Sequence, residues 1–347
     1  MIIKAVDDYA DLLSVSVASA GNDHRLGANE APPAIVSIFL GDELTDVLKS
    51  IENDTFFSNK HAVQMDIGAK VLPHFIKDTT DRNRTSPFAF TGNKFEFRML
   101  GSAASVANPN IVLNTAVAEV LAEFSAALKD VPEEEMESAV HALLKKTIEE
   151  HKRIIFNGNG YSDEWVKEAE RRGLLNLKST PECLPLLAET KNVELFDKYG
   201  IFTPDETTSR VHIFLENYSK TIAIEADAAL DMLYKDILPS IEAYVSELTQ
   251  ATLRKKEAGI AGGFEADLAT KLSDITTEIY ERAEKLTFVK KDVAAIASEN
   301  EKATAYHEQV LAAMQALREK VDEAEPLVAQ KYLTYPTYGQ LLFGVND

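Results

Sequence analysis

Residues 81–100 read DRNRTSPFAFTGNKFEFRML, in which two runs of strand-forming residues, SPFAF and KFEFRML, meet at TGN. Aromatic residues two apart, bounded by turn residues, predict a β-hairpin. In a strand, Lys94, Glu96 and Arg98 project from one face and Phe95, Phe97 and Met99 from the other. The aromatic face belongs in a core. The charged face is solvated, ion-paired, or part of a site, and alternation by itself favours a solvent face laced with ion pairs. The charge of the chain argues for looking further. It carries 36 Lys/Arg against 56 Asp/Glu, a net charge of −20. Yet from Lys77 to Arg98 five cations (Lys77, Arg82, Arg84, Lys94, Arg98) face three acids (Asp78, Asp81, Glu96).

Upstream, HRLGANEAPP places Arg25 and Glu30 on a Gly/Pro-rich loop, the kind of segment that carries function. With Arg84 beside the hairpin, the set holds three guanidiniums, one lysine and two carboxylates. A guanidinium fork binds carboxylate or phosphate through two hydrogen bonds and keeps its charge. A carboxylate among such cations suits a metal ligand, because Mg²⁺ bridges phosphate oxygens to one or two carboxylates. Cations, metal and glutamate are the parts of phosphoryl transfer. The residues therefore point to a site for a phosphorylated nucleotide and an acidic small molecule. No GxxxxGK[ST] or GxGxxG occurs, so a P-loop or Rossmann site is unsupported.

Around this core the chain splits by texture. At 347 residues it can hold two structural regions. Residues 1–130 mix short elements: a helix to about Ser19, a strand-length apolar run AIVSIFLG (34–41), a helix DELTDVLKSIE (42–52), a further strand within VQMDIGAKVLPHF, the hairpin, and a helix opening at PNIVLNTAV. Residues 131–347 read as helix almost throughout, with a break or kink at Pro239 and a turn at GIAGG (259–263). They carry 25 Lys/Arg and 39 Asp/Glu, which reads as a solvated acidic surface. Val289, Val293, Ile296, Asn300, Ala303, His307, Val310, Met314, Leu317 and Val321 alternate steps of 4 and 3, predicting one long heptad helix. Asn300 and His307 interrupt that seam. His307 could be a ligand or switch, but a polar seam residue that fixes register is the better reading. The fold expected is α+β: a partial antiparallel sheet followed by a mostly helical bundle with a long heptad helix.

Composition also excludes. The acidic balance argues against general nucleic-acid binding, which wants an extended basic face. The single cysteine, Cys183, rules out an internal disulfide, fits a cytoplasmic setting, and reads as a small core hydrophobe. No run of 18 uncharged apolar residues predicts a membrane span, and the acids of MIIKAVDDYADLL are unlike a signal peptide. The first helix opens without a capping residue, which fits either sequence preceding Met1 or an ordinary uncapped terminus.

Three stretches, SVASAGNDHRLGANEAPPAIVS (15–37), DTTDRNRTSPFAFTGNKFEFRMLGS (78–102) and NPNIVLNTAVAE (108–119), resemble glutamine synthetase of the type III branch, as does YPTYGQLLF (335–343). The resemblance implies an ATP-dependent glutamate–ammonia ligase acting through γ-glutamyl phosphate with Mg²⁺ or Mn²⁺. It implies that Arg25 holds glutamate, that Glu30 shields the acyl phosphate and helps deprotonate ammonium, and that Arg84 neutralises ATP phosphates. It further implies a nucleotide contact for Lys94, a metal ligand in Glu96, and an arginine on the glutamate and phosphoryl side in Arg98. Other synthetase subunits in a ring-shaped homo-oligomer are the implied partners, with active sites between neighbours. The family's N-terminal β-grasp domain, its paired-glutamate strands and its Gly-rich histidine motif are absent. The chain is therefore expected to correspond to the C-terminal portion of such an enzyme and to be inactive by itself. Two alternatives stand: a related carboxylate–amine ligase with another amine, and a non-catalytic helical assembly module. The charged set is what separates the last from the others.

Overall fold

The computed structural model describes residues 1–27, 31–55 and 86–344, together with a strand pair at 64–65 and 75–76. The chain divides into two compact units, Met1–Phe214 and Leu215–Asp347. The change of texture near residue 130 falls inside the first. That unit carries α1 (Ile2–Asp8), α2 (Ala10–Val17), α3 (Ala20–Asp23), β1 (Ile38–Phe39), α4 (Gly41–Glu52), β2 (Gln64–Met65), β3 (Phe75–Ile76), β4 (Phe88–Phe90), β5 (Phe95–Phe97), α5 (Ala107–Leu128), α6 (Met136–His151), α7 (Asp163–Arg171), α8 (Thr180–Cys183), α9 (Thr190–Lys198) and the start of α10 (Pro204–Met232). The second holds the rest of α10 with α11 (Leu238–Glu257), α12 (Gly263–Ala294), α13 (Glu299–Ala305), α14 (Leu311–Ala324) and α15 (Tyr338–Phe343). The class is α+β.

The hairpin forms as its alternation requires. β4 and β5 pair antiparallel, with Phe88 opposite Phe97, Ala89 opposite Glu96 and Phe90 opposite Phe95. Gly92 turns the chain at φ +99°, a conformation that side chains oppose. Phe88 packs at 5.5 Å from Phe95 and 5.9 Å from Phe97, ring centre to ring centre, and Met99 is fully buried. The sheet is mixed, however, not antiparallel throughout. β1 runs parallel to β4, giving the order β1-β4-β5. β1 is short: of the run 34–41 only Ile38 and Phe39 pair as strand, while Ala34, Ile35 and Val36 are buried as irregular core. VQMDIGAKVLPHF holds β2 and the start of β3, which pair antiparallel.

The N-terminal helix is two helices. Tyr9, at φ −119° and ψ 28°, breaks it. Every residue from Asp11 to Val17 is buried, so α2 is a core helix and not an amphipathic one. Cys183 is a free, buried thiol, as read, and burial pushes its pKa up to about 12. α5 is long and apolar enough to cross a membrane by length and composition, which the sequence reading had excluded. Its Glu119 and Glu123 nevertheless pair with Lys198 (2.7 Å) and Lys4 (3.2 Å) of the same unit, and its Val112, Ala116 and Val120 are buried.

In the second unit the single heptad helix does not form. α12 continues to Ala294, and a new helix starts after Ser298, whose hydroxyl accepts from the Glu301 backbone N–H. Asn300 is exposed in the first turn of that new helix, so it is no seam residue. A wide π-turn over Tyr306–Val310 then adds a residue and shifts the buried face to Tyr306, Val310, Ala313 and Leu317. His307 is half-buried, and its Nδ1 lies 3.0 Å from the Tyr218 hydroxyl, a structural pairing. A second π-turn, Leu233–Ile237, precedes Pro239 in the first turn of α11. The wide turn accommodates the missing proline N–H, so the helix shifts there without ending.

Candidate active site

The charged face of β5 opens on a hollow of about 720 Å³ in the first unit. Arg25, Glu96 and Arg98 all line it, with Ser86, Met99 and Tyr161 among the other walls. Glu30 and Arg84 lie outside the described residues.

Each side chain is positioned locally. Arg98 follows the last rung of the hairpin, and its N–H donates to the Pro87 carbonyl at 2.7 Å. Its Nε and Nη2 donate to Glu96 Oε2 at 3.1 and 3.0 Å. On the other side Lys94 Nζ lies 3.3 Å from Glu96 Oε1. The three residues thus share one face, as two-residue spacing requires, and pair along the strand instead of across it. The Arg98 guanidinium, then Lys94, holds the Glu96 carboxyl below the usual carboxylate range. Arg98 is mostly buried, whereas Lys94 is 65% exposed and stands at the rim.

Arg25 arrives from the loop after α3. Its Nε donates to Asn22 Oδ1 at 2.9 Å, and its Nη2 donates to the Met99 carbonyl. Asn22 is buried and donates through Nδ2 to the Val17 and Met99 carbonyls, both at 2.9 Å. It therefore fixes the arginine loop to the end of β5. Gly101 passes so close that a Cβ would come within 3.3 Å of Asn22 Oδ1. One residue on, Asp23 accepts from the Thr180 N–H (2.8 Å) and hydroxyl (2.7 Å), which ties the same loop to α8. A guanidinium has five N–H donors, and two of Arg25's fix its plane.

Two guanidiniums on one hollow make a site for an anion such as a carboxylate or phosphoryl group. A divalent cation fits only in part. Glu96 is the one carboxylate among the described lining residues, and it is kept ionised. One carboxylate suits an ion shared with phosphate oxygens, water and further carboxylates, not a closed protein site.

Sequence reasoning missed two things. Tyr161 reaches the hollow from residues beyond 131; its signal was the Gly/Asn-rich loop NGNGYSD. Asp7, Asp8 and His151 bring ligand-type atoms within 4.8 Å of one another. Cations already occupy that cluster: Arg153 Nε lies 2.9 Å from Asp7 and Lys4 Nζ 2.6 Å from Asp8. No spacing in the sequence announces it.

Comparison with known proteins places this geometry in a ligase family. Residues 139–256 match the glutamine synthetase C-terminal domain. Over 99% of its length the chain is 45% identical to a glutamine synthetase of Butyrivibrio fibrisolvens, 40% identical to a type-3 glutamine synthetase of Dictyostelium discoideum, and 36% identical to a glutamine synthetase of Bacteroides fragilis. It covers 49%, 48% and 48% of those proteins, so it spans about half the length of the curated relatives it matches. The chain belongs to the glutamine synthetase family.

Proposed function

We propose that this chain supplies part of the active site of an ATP-dependent glutamate–ammonia ligase. Residues 1–130 would belong to the catalytic portion and residues 131–347 to a helical region. The observation that carries the reading is the convergence of Arg25, Glu96 and Arg98 on one hollow, in a chain related along 99% of its length to glutamine synthetases. A helical assembly module has no need of such a hollow.

The chemistry sets the roles. A carboxylate oxygen is a poor leaving group. A γ-carboxylate oxygen of glutamate attacks the terminal phosphorus of ATP, ADP leaves, and an acyl phosphate forms. Ammonia nitrogen then attacks the acyl carbon, inorganic phosphate leaves, and nitrogen loses a proton. Arg25 would bind the glutamate carboxylate, and Arg98 would hold the charge that spreads over the transferring phosphoryl group. Lys94 at the rim and Arg84 would meet the nucleotide, and Glu30 would shield the acyl phosphate. Glu96 would be one ligand of Mg²⁺ or Mn²⁺, which supplies charge neutralisation at phosphate when bound. Ring assembly with other synthetase subunits and a cytoplasmic setting complete the proposal.

The test is to supply the remaining portion of a type-3 synthetase in trans and measure ATP- and glutamate-dependent glutamine formation. The chain alone is expected to be inactive and the mixture active. Arg98→Ala and Glu96→Ala should each lower activity about 10²–10³-fold or more. Wild-type activity in either variant refutes the site.

A further inference from the structure

We infer that Tyr161 contacts the bound anion in this hollow, presented there by a rigid loop from the helical part of the chain. The inference rests on the anion-site reading above. Tyr161 lines the hollow with Arg25, Glu96 and Arg98. Its loop, FNGNGYSD (156–163), is anchored at both ends and in the middle. Ile155 pairs in parallel with Ile38, and the Phe156 N–H donates to the Ile38 carbonyl at 2.9 Å, so the chain here runs beside β1 and extends the sheet. The Phe156 ring stacks on buried Trp165 at 3.7 Å and 13°. Asn157 Oδ1 accepts from the Leu40 and Gly41 N–H groups at 2.9 and 3.2 Å, and its Nδ2 donates to Thr45 Oγ1 at 2.8 Å. Gly158 presses on the Phe156 ring so tightly that a Cβ would come within 2.6 Å. Asn159 Oδ1 accepts from the Tyr161 N–H at 3.1 Å, and Ser162 caps α7 through the Trp165 N–H.

A loop tied down at this many points orders its tip without help from the tyrosine ring, which is left 42% exposed. Single exposed aromatics need no explanation. One mounted on a fixed loop in the wall of a two-arginine hollow does. A phenol donates one hydrogen bond to a carboxylate or phosphoryl oxygen and adds no charge, while its ring keeps water from one side of the ligand.

The test is calorimetric titration of the full chain with glutamate and, separately, with inorganic phosphate. Wild type is compared with Tyr161→Phe, Tyr161→Ala and Arg98→Ala. Arg98→Ala is expected to remove binding. Tyr161→Phe should weaken at least one ligand about tenfold, as loss of a hydrogen bond to a charged group does, and Tyr161→Ala at least as much. A loss confined to glutamate identifies a carboxylate contact, and one confined to phosphate a phosphoryl contact; either supports the inference. Unchanged affinity for both ligands in both tyrosine variants, with binding lost in Arg98→Ala, overturns this inference alone. Equal binding by wild type and Arg98→Ala, or none by wild type, overturns the anion site and the inference with it.

Discussion

Two clusters in the first unit use the same ingredients to different ends. Asp7, its side chain 2% exposed, lies 2.8 Å from His151 Nδ1 and accepts from Arg153 Nε at 2.9 and 3.1 Å. These partners are 144 and 146 residues away along the chain, so the cluster ties α1 to the end of α6. Glu96 instead pairs with Lys94 and Arg98, two residues to either side on its own strand. Those pairs join nothing remote, and an ion pair open to water adds little to stability. What they do is hold charge at the mouth of a hollow. The contrast separates a fastening from a site: sequence separation and burial mark the first, local pairing around a cavity the second.

That contrast can be broken by substitution. The largest expected effect is the loss of activity in Arg98→Ala, with unfolding free energy changed by no more than about 0.5 kcal/mol, since a pair within one strand is not a fastening. Asp7→Asn should do the reverse. It leaves two cationic partners without their buried carboxylate, and Arg153 is half-exposed, so the cost sits below the range for fully buried pairs, at about 2–3 kcal/mol in urea unfolding. Phosphate affinity should not move. A stability loss larger in Arg98→Ala than in Asp7→Asn would break the distinction.

The pH behaviour of Glu96 sharpens it. Its folded pKa lies below the ordinary value of 4.5. The pairing is therefore fully present above pH 4.5 and is lost as pH falls through the depressed value. A carboxyl carbon-13 titration should place its midpoint below 4.5, and Arg98→Ala should move it upward; an unmoved midpoint would mean that Arg98 does not hold the carboxylate. In the second unit, His307→Ala should cost about 1 kcal/mol through the lost Tyr218 bond. Asn300→Ala, at an exposed position, should stay within about 0.5 kcal/mol.

What the sequence revealed follows the range of the forces involved. The hairpin was legible because alternation, aromatic faces and a glycine turn all act within a dozen residues. Lys94, Glu96 and Arg98 therefore fell on one face as read. The placement of Arg25 beside them depends on Asn22, which bonds to both Val17 and Met99, and only the motif resemblance pointed there. The parallel β1–β4 pairing and the arrival of Tyr161 depend on contacts between distant segments, which no local pattern encodes. The heptad misled for a different reason. Two successive helices that each bury a stripe produce the same 3–4 rhythm as one. The clue was present in SENE (298–301), where Ser298 caps and Glu301 stands three residues on, a helix start inside the supposed helix.

The most direct measurement is a phosphate titration of Arg98→Ala and Asp7→Asn side by side, with the urea unfolding of each. The expected result is a stable Arg98→Ala that no longer binds phosphate and a weakened Asp7→Asn that binds it as wild type does. An Arg98→Ala that binds phosphate normally but unfolds early would contradict the central claim, because it would make the strand's charges a fastening and the hollow incidental.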